Sequence, residues 1–227
     1  STQGLAYRIK AYKIPEGTAV SKGKSIFNIL PLKSHHSVSS IMPLPEDETE
    51  WKKMTVVFAT SKGNIRKNTL EDFININNNG KIAMKLDQDD KIIGVKICRD
   101  DQDILLSTQF GKCIRFKSKK LRLFKGRSSK GIKGIQLKDK DKVISLSILD
   151  NTNIDTSIIK KDKKIKSGVN KFILSVSENG YGKRSKVEDY RITNRGGKGV
   201  KTINVTDKTG QLIAIKNVQD GDDLMII

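Results

Sequence analysis

Aromatic residues make up only 5% of the 227-residue chain, too few for the row of stacking rings that holds single-stranded nucleic acid. Cysteine is nearly absent. Cys98 and Cys113 stand in strand-like runs of Ile, Val and Phe, without C-x-x-C spacing and without a nearby His. They read as two buried, reduced thiols, which points to an intracellular protein. The only histidines, His35 and His36, are adjacent in a polar turn with no ligand partner three or four residues on. That pattern offers neither a zinc site nor a Ser/His/Asp arrangement. No apolar run reaches the roughly 18 residues of a membrane span, and no signal peptide is evident. Acidic residues are outnumbered: 25 Asp and Glu face 44 Lys and Arg, a net charge of +19. A surface so charged attracts nucleic-acid phosphates or acidic lipid.

What the chain does have is repetition. One element reads polar-x-x-Gly followed by mixed basic and apolar residues. It occurs at Gly4 ("STQGLAYRIKAYKI"), Gly63 ("TSKGNIRKNTLEDF"), Gly111 ("TQFGKCIRFKSKKL") and Gly180 ("SENGYGKRSKVEDY"). A second element, Lys/Asn-Gly leading into alternating residues, follows each: "KGKSIFNI" at Gly23, "NGKIAMKL" at Gly80, "KGIKGIQL" at Gly131 and "KGVKTINV" at Gly199. A third is an acidic turn feeding an apolar strand ("DQDDKIIGVKI", "DKDKVISLSIL", "DKTGQLIAIKNV"). A fourth is the strand before each first element ("MTVVFAT", "DILLST", "KFILSV") and, at the end, "DLMII". The glycines of the first element lie 59, 48 and 69 residues apart. About four short strands per unit of roughly 50–60 residues is the cadence of a propeller blade.

The expectation is therefore an all-β chain, one propeller-like domain over 1–227 with approximate repeats 1–53, 54–100, 101–149 and 172–227. Residues 150–171, polar and rich in Lys and Asn, read as a loop insertion. "NTLEDF" and "KVEDY" are too short for more than a helical turn. Trp51, in the loop "PLPEDETEWKKM", reads as packing. Because Ser1 opens midway through a hairpin and Ile227 closes on a strand, the chain reads as about four to five blades of a longer array.

Catalytic patterns are missing. Gly23-Lys24-Ser25 falls short of a phosphate loop, which needs a glycine five residues before Gly23, whereas Gly17 lies six before it. The pairs Asp89-Asp90, Asp100-Asp101 and Asp222-Asp223 recur in equivalent turns and read as solvated hairpins rather than metal sites. The basic residues instead follow the repeat. The candidate DNA-binding set is Lys22, Lys24, Arg66, Lys67, Lys81, Arg127, Lys130, Lys133, Lys183, Arg184, Arg191, Arg195, Lys198 and Lys201, with the glycines Gly196, Gly197 and Gly199. Arg8, Lys10, Lys112 and Arg115 share the phase. On a disc of blades these positions form a basic rim, whose glycines let backbone N–H groups approach a phosphate. Contacts of this kind are mainly to phosphates and select sequence weakly.

The stretches "GYGKRSKVEDYRITNRGGKGV", "IPEGTAVSKGKSIFNILPL" and "DILLSTQFGKCIRF", with the ending "DDLMII", resemble the C-terminal domain of the DNA gyrase A protein in collinear order. The resemblance implies a β-pinwheel, six-bladed in the family, with strands exchanged between neighbouring repeats. It implies a domain that wraps duplex DNA on its basic rim and so supports ATP-dependent negative supercoiling by a type II topoisomerase. It implies gyrase B as partner, a bacterial cytoplasmic or plastid-type setting, no cofactor held by this region, and ATP, magnesium and catalytic residues placed elsewhere in the holoenzyme. Arg195-Gly196-Gly197-Lys198-Gly199 matches the last five positions of the family's Gln-basic-Arg-Gly-Gly-basic-Gly box, with Thr193 and Asn194 in the first two. The corresponding domain of topoisomerase IV is the alternative. A propeller scaffold for acidic proteins is a further one.

Overall fold

A computed structural model describes residues 1–33, 36–150 and 171–225. The expected insertion at 150–171 falls almost wholly outside the described residues, as does His35. The strands are β1 (Leu5–Ala6), β2 (Thr55–Thr60), β3 (Asn64–Thr69), β4 (Lys81–Ile82), β5 (Ile92–Ile97), β6 (Asp103–Thr108) and β7 (Lys112–Lys117). They continue with β8 (Leu123–Phe124), β9 (Ile132–Lys133), β10 (Val143–Leu149), β11 (Lys171–Ser177), β12 (Gly182–Lys186), β13 (Val200–Lys201) and β14 (Leu212–Gln219). Helical structure among the described residues is confined to single 3-10 turns such as Leu70–Phe73, Ser118–Lys120 and Val187–Asp189.

The polar-x-x-Gly signal is a hairpin turn. The Gly63, Gly111 and Gly180 N–H groups each donate to the carbonyl three residues back, on Thr60, Thr108 and Ser177, at 3.0 Å. Antiparallel strands leave each turn: β2 with β3, β6 with β7 and β11 with β12. The acidic turn then returns a third strand to the opposite side, β5 on β2, β10 on β6 and β14 on β11. Each of these last pairings slips register near the hairpin end, at Ala59/Thr60, Val143/Ser145 and Val176/Ser177. One sequence grammar thus produces one blade three times.

The chain forms two compact units. The first comprises Ser1–Ile97 and Arg122–Ile132, the second Cys98–Leu121 and Lys133–Ile227. Segment 122–132 therefore belongs to a different unit from the residues on either side of it, and in the first unit its β8 runs parallel to β3, Lys67 opposite Leu123. The second unit repeats this inside itself. Ile192 bridges Arg115 in parallel, and β13 pairs antiparallel with β7, Val200 opposite Cys113. Likewise β4 pairs with β1, Leu5 opposite Ile82. In each case the second element of one repeat lies on the first element of the repeat before it.

This exchange explains why glycine recurs in the second element. Gly199 has φ +69°, and a Cβ there would stand 2.4 Å from the Cys113 carbonyl oxygen; at Gly131, φ +80°, it would stand 2.5 Å from that of Ile65. Only glycine lets the crossing backbone come this close. "KGKSIFNI" departs from the expected strand and forms a 3-10 turn, Ile26–Asn28. Gly23 keeps φ +68° but has no atom within 4 Å of a Cβ position. A strand needs a neighbour for its ladder, and none is paired with this segment among the described residues. The described part of "DLMII", Asp223–Met225, is likewise not strand.

The first unit packs on Trp51, Val56, Phe58, Leu70, Phe73 and Met84; the second on Leu105, Cys113, Leu149, Ile173, Tyr190 and Leu212. Trp51 is a packing residue, buried with its Nε1 donating to the Pro45 carbonyl at 3.0 Å. One member of the acidic pairs, Asp90, is not solvated as expected. Asp90 is buried and accepts from Ser61 Oγ (2.8 Å), Lys62 N (2.9 Å) and Lys91 N (2.9 Å). Asp141 is buried too and accepts from Phe110 N (3.0 Å) and Lys142 N (2.9 Å). Each carboxylate ties its turn to the neighbouring hairpin.

Candidate nucleic-acid interface

Cations alone do not make a site; the cations that matter are those the fold leaves in solvent. In the second unit the loop Thr193–Gly199 is fixed by its own backbone. Thr193 N donates to the Arg115 carbonyl (2.8 Å), Gly196 N to the Gly134 carbonyl (2.6 Å), and Gln136 N to the Gly197 carbonyl (2.9 Å). With the loop held, Arg195 and Lys198 project into solvent, as do Lys133, Lys201 and Arg191. Arg195 Nη1 donates to the Lys133 carbonyl at 3.1 Å, which brings these two cationic residues together. Among the described residues no carboxylate pairs with Arg195, Lys198 or Lys133. Lys120, absent from the expected set, joins this corner by donating to Asn194 Oδ1 at 2.7 Å. Its place in the first element gives no sign of that proximity.

Elsewhere in the second unit, Lys183 and Arg184 sit on the exposed strand β12. Arg184 lies over the Phe172 ring at 4.2 Å and pairs with Asp220 at 3.2 Å. Lys201 Nζ reaches Asn204 Oδ1 at 3.2 Å.

The first unit has a second basic corner, Lys125–Gly131. Arg127 is half-buried and donates from Nη1 to the Ile82 carbonyl at 3.2 Å, and Lys130 is exposed but paired with Asp87. That pairing, more than any other effect, holds the Asp87 carboxyl below its ordinary value. Lys81 donates to the Asn75 carbonyl at 2.6 Å, while Lys22 and Lys24 lie on the exposed segment before Ile26. Arg8 is committed to Glu48 at 2.6 Å and lies 4.8 Å from the Trp51 ring.

Two members of the expected rim are not on the surface. Arg66 is 0% exposed and Lys67 3%. Strand β3 is buried on both faces from Ile65 to Asn68, so alternation does not send one of its faces to water. The Arg66 guanidinium instead donates to the carbonyls of Arg127 (2.7 Å), Ser129 (2.8 Å) and Ala83, and to Asn68 Oδ1 (2.7 Å). Burial pulls its pKa down to about 10, partly opposed by Asp72. Arg115 is also turned inward, ion-paired to the fully buried Asp103 at 2.8 Å.

A family model described as the DNA gyrase C-terminal domain, a beta-propeller, matches residues 1–45, 55–99, 102–150 and 171–219. The chain belongs to the DNA gyrase C-terminal domain family. The DNA gyrase A protein of Rickettsia bellii is 41% identical over the whole chain, and that of Staphylococcus epidermidis 36%. The chain spans 28% and 23% of their lengths. Among solved structures, the C-terminal domain of DNA topoisomerase IV matches with TM-score 0.79 at 18% identity, over 96% of this chain and 62% of that one. A DNA gyrase A C-terminal domain matches with TM-score 0.70 at 24% identity, over 96% and 63%. The fold is thus the propeller type of this family, and the exchanged second elements are its pinwheel feature in this chain. No helix among the described residues is long and apolar enough to cross a membrane. No group of three or more His, Cys, Asp or Glu is placed to hold a metal among them.

Proposed function

We propose that this gyrase-family domain binds and bends duplex DNA through its basic glycine corners, as the DNA-wrapping part of a DNA gyrase A protein. It would act with gyrase B in ATP-dependent negative supercoiling. The observation that carries the reading is the corner at Thr193–Gly199. Its backbone is fixed by hydrogen bonds, its glycine approaches a neighbouring strand, and its cations stand in solvent with no carboxylate partner among the described residues. Such cations release condensed counterions when they meet phosphates, which makes affinity fall steeply with salt.

The chemistry here is electrostatic and mechanical. Arg195, Lys198, Lys133, Lys201, Arg127 and Lys130 would neutralise phosphates along the duplex. Smoothly bending 20–30 base pairs through 40–90° costs on the order of 1–6 kcal/mol, so contacts must be distributed along the curve. Four to six neutralised phosphates correspond to a slope of about −4 to −5 in log affinity against log salt. Few base-reading groups stand at the corners, so sequences should bind with similar affinity.

The test is binding of a duplex of about 40 base pairs, labelled at both ends, to the full-length protein at two salt concentrations. Steep salt dependence with the ends drawing together supports the proposal. Binding to acidic proteins with no binding to duplex at low salt would replace it with the scaffold reading.

A further inference from the structure

Arg66 carries a positive charge in a basic region yet touches no solvent, and two of its four hydrogen bonds run to one short segment. Its Nη1 donates to the Arg127 and Ser129 carbonyls, at 2.7 and 2.8 Å, and Nη2 to the Ala83 carbonyl. Its Nε donates to Asn68 Oδ1 at 2.7 Å, which orients that amide. Asn68 Nδ2 then donates to the Phe124 carbonyl (3.1 Å), the Gly126 carbonyl (2.7 Å) and Asp72 Oδ2 (2.7 Å). Two neighbouring side chains of β3 therefore hold carbonyls of Phe124, Gly126, Arg127 and Ser129. This stretch has only the two-residue β8 ladder of its own, and loop carbonyls left buried without donors would be costly.

The side chains of that same stretch point the other way. Lys125 and Lys130 are exposed and Arg127 is half-buried, its guanidinium reaching the Ile82 carbonyl. One cation inside thus fixes the path of a loop whose other cations are offered outward. Only a guanidinium supplies several donors in a planar fork; an ammonium in its place keeps the charge and loses that geometry.

We infer that Arg66, oriented with Asn68, is a positioning residue for DNA binding. It clamps the carbonyls of the Lys125–Gly131 corner so that Arg127 and Lys130 meet the duplex as a fixed pair. The inference rests on the DNA-binding reading above, and its experiment separates the two. In the full-length protein, Arg66→Lys is compared with Arg127→Ala/Lys130→Ala and with the triple variant, by duplex affinity and by amide hydrogen exchange. Arg66→Lys should lower affinity about three- to tenfold in the native corner and cause no further loss once Arg127 and Lys130 are gone. Exchange should accelerate at 125–131 and stay unchanged in β2 and β5. Losses that add in the triple variant, or exchange at 125–131 that does not respond, would overturn the clamp. If exchange responds as expected but no variant binds duplex, the clamp stands and the DNA-binding reading falls.

Discussion

The two basic corners achieve the same outward display by different means. In the second unit the Thr193–Gly199 corner is pinned backbone to backbone, and the nearby half-buried arginine, Arg115, is paired with Asp103 while its Nη1 donates to the Val187 and Tyr190 carbonyls. In the first unit the Lys125–Gly131 corner is gripped by the side chains of Arg66 and Asn68, and Arg66 is met there by carbonyls and an amide oxygen rather than by a carboxylate. A corner with a glycine pair can bond through its main chain. The first unit's corner, Lys125-Gly126-Arg127-Ser128-Ser129-Lys130-Gly131, has serines where the other has glycines and relies on side-chain donors. A buried arginine in such a repeat can thus be a fastening rather than part of the binding face.

The contrast between the two arginines is tested first through stability, where the effect is largest. Arg115→Met strands the fully buried Asp103 and should cost about 3–5 kcal/mol in a denaturant titration. Adding Asp103→Asn should recover part of that loss. If the double variant is no more stable than the single one, the ion pair is not what distinguishes the two arginines. Next comes the crossing glycine. Gly199→Ala combines positive φ with a clash on the Cys113 carbonyl and should cost about 3 kcal/mol, against about 1 kcal/mol for Gly23→Ala, where φ alone is at issue. Equal costs in thermal unfolding would remove strand exchange as the reason for the glycine.

A smaller effect concerns the buried thiol under β13. Burial pushes Cys113 up to about 11, against hydrogen bonding with Ser107 and Thr202 that lowers it. A thiol with a raised folded pKa contributes stability that is present below its ordinary value of 9.0 and declines as pH rises toward about 11. At a pH of about 8 the native thiol should therefore resist iodoacetamide, and Cys113→Ser should lessen the loss of stability above a pH of about 9. Rapid alkylation of the folded protein would contradict this.

Much of the blade is legible in the sequence, because polar-x-x-Gly and the acidic turn impose local backbone geometry at Gly63, Gly111 and Gly180. The fate of Arg66 and Lys67 is not. Period-two alternation assumes one open face, whereas the exchanged segment closes β3 from a place 61 to 63 residues further along the chain. "KGKSIFNI" misleads for the converse reason: its pattern is that of a strand, but a strand is defined by a partner. Asp90 resembles a solvated turn residue because nothing in a run of acids reveals which carboxylate will receive neighbouring amides. The glycines of Arg195–Gly199 suggest room for an anion, and the close approach seen at Gly199 is to a strand.

If outward cations at fixed corners carry duplex binding, and net charge does not, the slope of log affinity against log salt must depend on which cations are removed. The decisive measurement is that slope for the full-length protein and two corner variants. Removing Arg195 and Lys198 together should reduce it by about 2, whereas removing Arg127 and Lys130 should reduce it by about 1, because Lys130 is already paired with Asp87. Slopes that fall equally for these pairs and for a control pair of exposed lysines without a carboxylate partner among the described residues, such as Lys53 and Lys96, would contradict the corner reading.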